Sequence, residues 1–376
     1  MHKEDPRETL ETSDSNDFPL YHLYFYLTEG CNLTCSHCWL APKHDPDGRH
    51  CSVLPLELFS KIIADAIPLG LKGIKLTGGE PLLHPDFLAM LDIIHRQEIN
   101  LTLETNGILC TPEIAREISQ LDSPFVSVSL DGANAKTHDT NRGMDGAFLK
   151  ATAAISALAG YGIKTQVIMS IMQSNFDQIE AVIQLAEELG AGSVKFNIIQ
   201  PTGRGEKIHA SNNGLDMKNI IRLGRKVDTE LNTKTALHLF FDYPAAFRSL
   251  GRIASNDGCG VCGILSILGV LPSGEYALCG IGSHVKELIF GKAGINSLAD
   301  VWQKNIILNQ LRSGLPHNLK GICAKCLMKH FCLGSCLAQN YYRTNSLWSP
   351  FWFCKQAEAE GLFPDSRLDL SLKNNH

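Results

Sequence analysis

An α/β fold is predicted: a parallel sheet of six β/α units, followed by a smaller cysteine-rich region. Two observations carry this. Six short runs, most of them rich in β-branched residues, alternate with five stretches of helical periodicity over the first two thirds of the 376-residue chain. Beyond about residue 210 that rhythm gives way to glycines, cysteines and short pieces.

The runs at 23–29 (LYFYLTE), 73–80 (GIKLTGGE), 99–107 (INLTLETNG), 125–132 (FVSVSLDG), 163–171 (IKTQVIMSI) and 193–200 (SVKFNIIQ) read as strands, most closing at a Gly or a polar turn. Between them, 55–67, 85–97, 112–121, 146–162 and 176–190 space apolar residues three and four apart and read as helices. Strands separated by helices pair in parallel through right-handed crossovers. Ligands of such sheets sit at the C-terminal strand ends. The unusual residues fall there: the first cysteines, TGGEP, ETNG, SLDG and NIIQPTGRG. Further on, 214–231 reads as a helix, 236–242 as a strand and 269–278 as a hairpin. The expected organisation is an acidic arm without a core over 1–19, the barrel over 20–235, a bridging segment over 236–258, the cysteine-rich domain over 259–360 and a tail over 361–376.

A net charge of −5 gives no reason to expect a nucleic-acid partner. No run of about 18 apolar residues is present, so no membrane span is expected. The polar, acidic start is neither a signal nor a transit peptide, and a cytoplasmic location follows as the expectation. Thirteen cysteines are too many for such a chain to leave unexplained. Disulfide frameworks belong to small exported proteins, so clustered cysteines here point to metal.

Cys31, Cys35 and Cys38 follow the first strand in a CxxxCxxC pattern. Three thiolates can hold three irons of a [4Fe–4S] cube and leave the fourth iron open. A structural zinc site with a distant fourth ligand is the other reading of the spacing. With TGGEP after the next strand, the motif resembles the radical S-adenosylmethionine (SAM) superfamily. The resemblance implies a TIM-type partial (β/α)6 barrel in which SAM chelates the open iron. It assigns Gly78, Gly79 and Glu80 to the SAM amino group, Ser129 to a SAM contact and Arg142 to the SAM carboxylate. His37 falls beside the adenine and Ile199 closes its pocket. Electron transfer into the sulfonium then yields methionine and a 5′-deoxyadenosyl radical, which removes a hydrogen atom from substrate. An electron donor such as flavodoxin or ferredoxin is implied.

The second cysteine group runs Cys259, Cys262, Cys279, Cys323, Cys326, Cys332, Cys336 and Cys354. Its spacing resembles the SPASM domain, which carries two auxiliary [4Fe–4S] clusters. The resemblance assigns Cys259, Cys262, Cys279 and Cys336 to one and Cys323, Cys326, Cys332 and Cys354 to the other. A pair of zinc sites is the alternative. Cys51 and Cys110 remain, either as small buried hydrophobes or as hydrogen-atom donors to a substrate radical.

SPASM proteins mostly modify peptides. Gly280 follows Cys279 where sulfatase-maturing relatives carry an Asp base, which counts against that activity. The first strand begins too early for a leader-binding domain, so a separate small recognition protein is expected alongside the precursor peptide. The run 21–48 looks most like maturases of nitrile-hydratase-like or nitrogen-fixation-protein-like leader peptides, some of which excise a tyramine unit and leave an α-keto-β-amino acid. Epimerisation, thioether formation and carbon–carbon crosslinking are alternatives within the class. A tetrapyrrole-modifying enzyme and a non-catalytic iron–sulfur scaffold are alternatives outside it. No acid or base residue is assigned.

Overall fold

The computed structural model describes residues 18–211, 214–254 and 262–369. Cys259, nearly all of the acidic arm and the end of the tail lie outside these. The six expected strands are β1 (His22–Tyr26), β2 (Gly73–Thr77), β3 (Asn100–Thr105), β4 (Phe125–Ser129), β5 (Lys164–Ile171) and β6 (Ser193–Ile198). They pair in parallel in chain order, with His22 opposite Gly73 and Tyr26 opposite Thr77 at the first junction. The sheet does not stop there. β7 (His238–Phe241) extends it beyond β6, and β8 (Ile267–Val270) returns to pair in parallel with β1. β8 then turns back through β9 (Glu275–Ala277) and β10 (Ile289–Lys292), both antiparallel. The expected hairpin is therefore part of one mostly parallel ten-stranded sheet.

The helices cover the outer face. α1 (Leu56–Ala66) buries Phe59, Ile62, Ile63 and Ala66, and α2 (Phe87–Arg96) buries Phe87, Met90, Leu91 and Ile94. Both sets follow helical spacing, which is why periodicity found them. α3 (Pro112–Ile118) starts at Thr111, whose hydroxyl accepts from Ile114 N–H, with Pro112 next. α5 (Ala147–Gly160) and α6 (Ile179–Glu188) complete the expected set.

One helix was not legible. α4 (Ala135–Arg142) reads AKTHDTNR and buries His138, Asn141 and Arg142. It has no apolar stripe to betray it. Asn134 caps its start by accepting from Thr137 N–H at 3.0 Å, and Gly143 ends it at φ 71°. Beyond β6, α7 (Gly205–Ala210) is followed by α8 (Met217–Thr229), the helix expected over 214–231.

The inward strand faces are polar. Lys75, Thr77, Glu104, Ser127, Ser129, Gln166 and Lys195 alternate with buried apolar neighbours that pack on the helices. A sheet interior so polar is built to hold a ligand rather than to pack itself. The C-terminal region joins the same apolar core, with Phe247 edge-on to Phe353 at 5.1 Å and to Phe363 at 5.6 Å.

Candidate active site

The cavity at the C-terminal strand ends has a volume of about 320 Å³. Cys31, Cys35 and Cys38 line it, as do His37, Gly78, Gly79, Glu80, Ser129, Arg142 and Ile199. Every residue expected at the cluster and SAM site thus meets in one place. Neither Cys51 nor Cys110 is among the lining residues.

The cysteine loop is held from two sides. On one, Thr34 and Ser36 N–H donate to the carbonyls of Arg142 and Asn141 at 3.2 and 3.1 Å. These are C-terminal carbonyls of α4, which no intrahelical N–H can satisfy. On the other, Arg204 Nε donates to Cys35 O at 2.7 Å and Arg204 N–H to Cys38 O at 3.0 Å. Close approach also fixes the second strand end. A Cβ on Gly79 would lie 1.8 Å from Gly30 O, so the GGE turn can meet the cysteine loop only with glycine there.

Charges in the site are paired or buried. Arg142 Nε lies 2.8 Å from Asp131 Oδ2, and its Nη1 donates to Cys35 Sγ at 3.7 Å. Asp131 also accepts from Ser170 N–H at 2.9 Å. Burial opposes its ionisation, but Arg142 and then His37 outweigh burial and hold the carboxyl below its usual range. His37 Nε2 lies 3.4 Å from Asp131 Oδ2, and burial drives the imidazole pKa down to about 4, so the ring is neutral. Its buried Nδ1 has no partner among the described residues. Glu80 accepts from Leu82 N–H at 3.1 Å, Thr105 Oγ1 at 2.7 Å and Asn106 N–H at 2.8 Å. Burial still pushes its carboxyl up to about 7 against these donors.

The donor set suits a bound cation. Cys31, Cys35 and Cys38 are free thiols. Burial, then the Glu80 charge, raises Cys31 to about 12. A thiol raised so far ionises only against added positive charge, which an iron cluster supplies.

A family model described as the radical SAM superfamily matches residues 25–186. An AdoMet-dependent heme synthase of Methanosarcina barkeri is 30% identical over 85% of this chain and 91% of its own. The chain belongs to the radical SAM superfamily. Within it, the subtilosin biosynthesis protein AlbA of Bacillus subtilis is 27% identical over 90% of this chain and 73% of its own. The mycofactocin maturase MftC of Mycolicibacterium smegmatis is 28% identical over 90% and 83%. Streptococcus suis SuiB bound to its precursor peptide SuiA shares the fold at a TM-score of 0.72, with 18% identity over 90% of this chain and 76% of that one. The fold is that of a radical SAM protein with a mostly parallel sheet.

A second cavity of this radical SAM protein, about 300 Å³, is lined by Cys262, Cys332 and Cys336 and shares Lys195, Gln200 and Asp242 with the first. Burial, then the nearby Cys262 and Cys279, push the Cys336 thiol well above its ordinary pKa. Cys323, Cys326, Cys332 and Cys354 line a third, small cavity together with Phe363 and Met328, and Cys332 lines the second cavity as well. Sequence reasoning named no role for Asp131, Asn106, Lys195, Arg204 or Asp242. Asp131, Asn106 and Arg204 stood inside strand-end motifs it had marked, SLDG, ETNG and PTGRG.

Proposed function

We propose that this radical SAM enzyme modifies a ribosomally made precursor peptide. The observation that carries this is the 320 Å³ cavity at the strand ends, where the CxxxCxxC cysteines face Lys195, Gln200 and Asp242. These three also line the cavity at Cys262 and Cys336. They offer the donors and acceptors in turn that a chain of amides needs. The roles of AlbA in subtilosin biosynthesis and of MftC as a mycofactocin maturase support the same class.

In this reading Cys31, Cys35 and Cys38 hold the SAM-binding cluster. Glu80 accepts from the SAM amino group, Arg142 meets its carboxylate, and Ser129, His37 and Ile199 flank the nucleoside. Glu80 is held for that task by three donors, and Asp131 orients Arg142. When bound, the cluster and SAM supply the radical that takes a hydrogen atom from substrate. Residues 20–235 act as the barrel, 236–258 as a bridge and 259–360 as a SPASM domain. Cys262, Cys279 and Cys336 with Cys259 hold one auxiliary cluster, and Cys323, Cys326, Cys332 and Cys354 the other. A small recognition protein and a flavodoxin or ferredoxin serve the enzyme in the cytoplasm. Tyramine excision, as in maturases of nitrile-hydratase-like leaders, is the finer chemistry attached to this reading. The test is anaerobic incubation with SAM, dithionite and the short peptide encoded beside the enzyme. A mass change requiring both reagents is expected, and an unchanged peptide with every neighbouring candidate would sink the reading.

The heme synthase relative supports a second reading, a tetrapyrrole substrate. Titration with haem separates the two. Tight binding with a Soret shift favours the tetrapyrrole.

A further inference from the structure

We infer that Arg204 is a positioning residue that fixes the cysteine loop in the shape needed to present SAM. The inference rests on the reading that Cys31, Cys35 and Cys38 hold the SAM-binding cluster.

Arg204 lies at the end of the PTGRG run and is not among the residues lining the 320 Å³ cavity. It reaches the loop three times. Nε donates to Cys35 O at 2.7 Å, its backbone N–H to Cys38 O at 3.0 Å, and Nη1 to Pro42 O at 3.4 Å. Two of these carbonyls belong to cysteines, so the clamp acts on the chain that carries the sulfurs. Gly203 makes the approach possible: a Cβ there would lie 2.3 Å from Trp39 O, and its φ is +60°. The contacts span about 160 residues of chain, so they exist only once β6 is in the sheet.

The same short segment carries Ile199, which lines the cavity. His209 Nε2 lies 2.9 Å from Ile199 O, and Gln200 Oε1 accepts from Trp352 Nε1 at 3.3 Å. A rigid peptide thus joins the adenine end of the site to the cysteine loop. The guanidinium presents its donors in one plane and can bridge Cys35 O and Pro42 O together, whereas a lysine ammonium replaces that fork with a single point charge.

The experiment uses full-length, anaerobically reconstituted protein and SAM itself as probe, with Arg204→Ala, Arg204→Lys and Gly203→Ala. Iron content and thermal unfolding report folding and loading. SAM affinity and electron–nuclear double resonance with SAM carrying ¹⁵N at its amino group report geometry at the cluster. Loss of a hydrogen bond from a charged donor corresponds to about tenfold in affinity. Arg204→Ala and Gly203→Ala should keep their iron, bind SAM about tenfold more weakly and weaken the ¹⁵N coupling, with Arg204→Lys restoring part of both. Should Arg204→Ala prove too unstable to load, the Lys and Gly203 variants decide by the same readouts. Wild-type affinity and coupling in these variants would overturn the inference. So would iron loss matched by SAM loss with unaltered coupling in the loaded fraction, which marks a merely structural role. Absence of ¹⁵N coupling in the wild type would instead overturn the site reading, and the inference with it.

Discussion

Arg142 Nη1 lies 3.7 Å from Cys35 Sγ while Nε of the same guanidinium lies 2.8 Å from Asp131 Oδ2. One buried cation therefore ties the cysteine loop to β4's end. Both side chains are almost fully buried, at 7% and 0% exposure, so neither charge has water to fall back on. Removing one partner of such a pair costs about 3–5 kcal/mol, because the other is left buried and unpaired. Arg142→Leu is expected to lower the unfolding midpoint strongly in thermal denaturation. Asp131→Asn added to Arg142→Leu should recover part of the loss. An Arg142→Leu protein as stable as the wild type would show the pair to be dispensable.

Glu80 gives a pH dependence with a definite sign. Its carboxyl titrates near 7, raised by burial. Because the folded value lies above the ordinary 4.5, the group favours folding at low pH. That advantage fades as pH rises from about 4.5 to about 7. An N–H donor prefers the ionised carboxylate, so binding of the SAM amino group expels the proton. SAM affinity is expected to fall as pH drops below about 7, by up to tenfold per pH unit. Glu80→Gln should bind SAM weakly and without this slope. Calorimetry in two buffers of different ionisation enthalpy measures the proton release directly, and equal apparent enthalpies at pH 6 would refute it.

The legible elements share a trait: α1, α2, α5 and α6 bury apolar residues at helical spacing. α4 buries a polar face instead, since His138 Nδ1 accepts from Asp131 N–H at 3.1 Å and Asn141 Nδ2 donates to Asp131 O at 3.4 Å. No periodicity scan finds a helix whose inward side matches a carboxylate and a loop. The site divides in the same way. Cys31, Cys35 and Cys38 are local in sequence and chemically unusual, so they announce themselves. The supports do not: Arg204 meets Cys35 O only across 169 residues, and the Thr34 N–H bond to Arg142 O spans 108. Strand ends were read too long for a related reason. Gly78 to Glu80 continue the pattern of β2 in letters, but Gly78 sits at φ 130° and turns the chain into the cavity.

Iron content tests the cysteine sets. Three cubes correspond to about twelve irons per chain after anaerobic reconstitution. Replacing Cys323 and Cys354 together should remove about four and leave the cavity at Cys31 intact. Cys354 is pushed well above its usual pKa by burial, then by Cys323, Cys332 and Cys326, which marks the four as neighbours. Full loading in the double variant would remove that set from the list of cluster sites.

Lys195 and Asp242 line both the cavity at Cys31 and the one at Cys262, at their junction in the wall between them. Lys75, by contrast, is engaged by Glu104 at 2.7 Å and sits 4.6 Å from the ring centroid of Tyr24. A substrate amide at the junction would find a donor in Lys195 and an acceptor in Asp242. Lys195→Met and Asp242→Asn are expected to cut peptide product about tenfold, as for other lost hydrogen bonds to charged groups. SAM cleavage in the absence of peptide should be unaffected. Equal loss in both assays would place these residues in folding or cofactor binding instead.

Gly280 is dictated by Tyr26. A Cβ at Gly280 would lie 2.4 Å from Tyr26 Cε1 and 2.7 Å from its hydroxyl, well inside contact distance. Tyr26 ends β1, is 5% exposed and packs with Leu271 and Ala277 of the β8–β9 hairpin. Its ring therefore occupies the space a side chain after Cys279 would need. An acid grafted there, as in sulfatase-maturing enzymes, has nowhere to go. Gly280→Ala is expected to destabilise by about 1–3 kcal/mol, the usual range for overpacking a filled site. Tyr26→Ala opens a cavity and costs about 3–5 kcal/mol alone, taking the value for a large aromatic. Combined, the two should cost less than their sum, because the methyl enters space the ring has left. Urea unfolding of the four proteins measures this coupling, and strict additivity would show that the ring does not set residue 280.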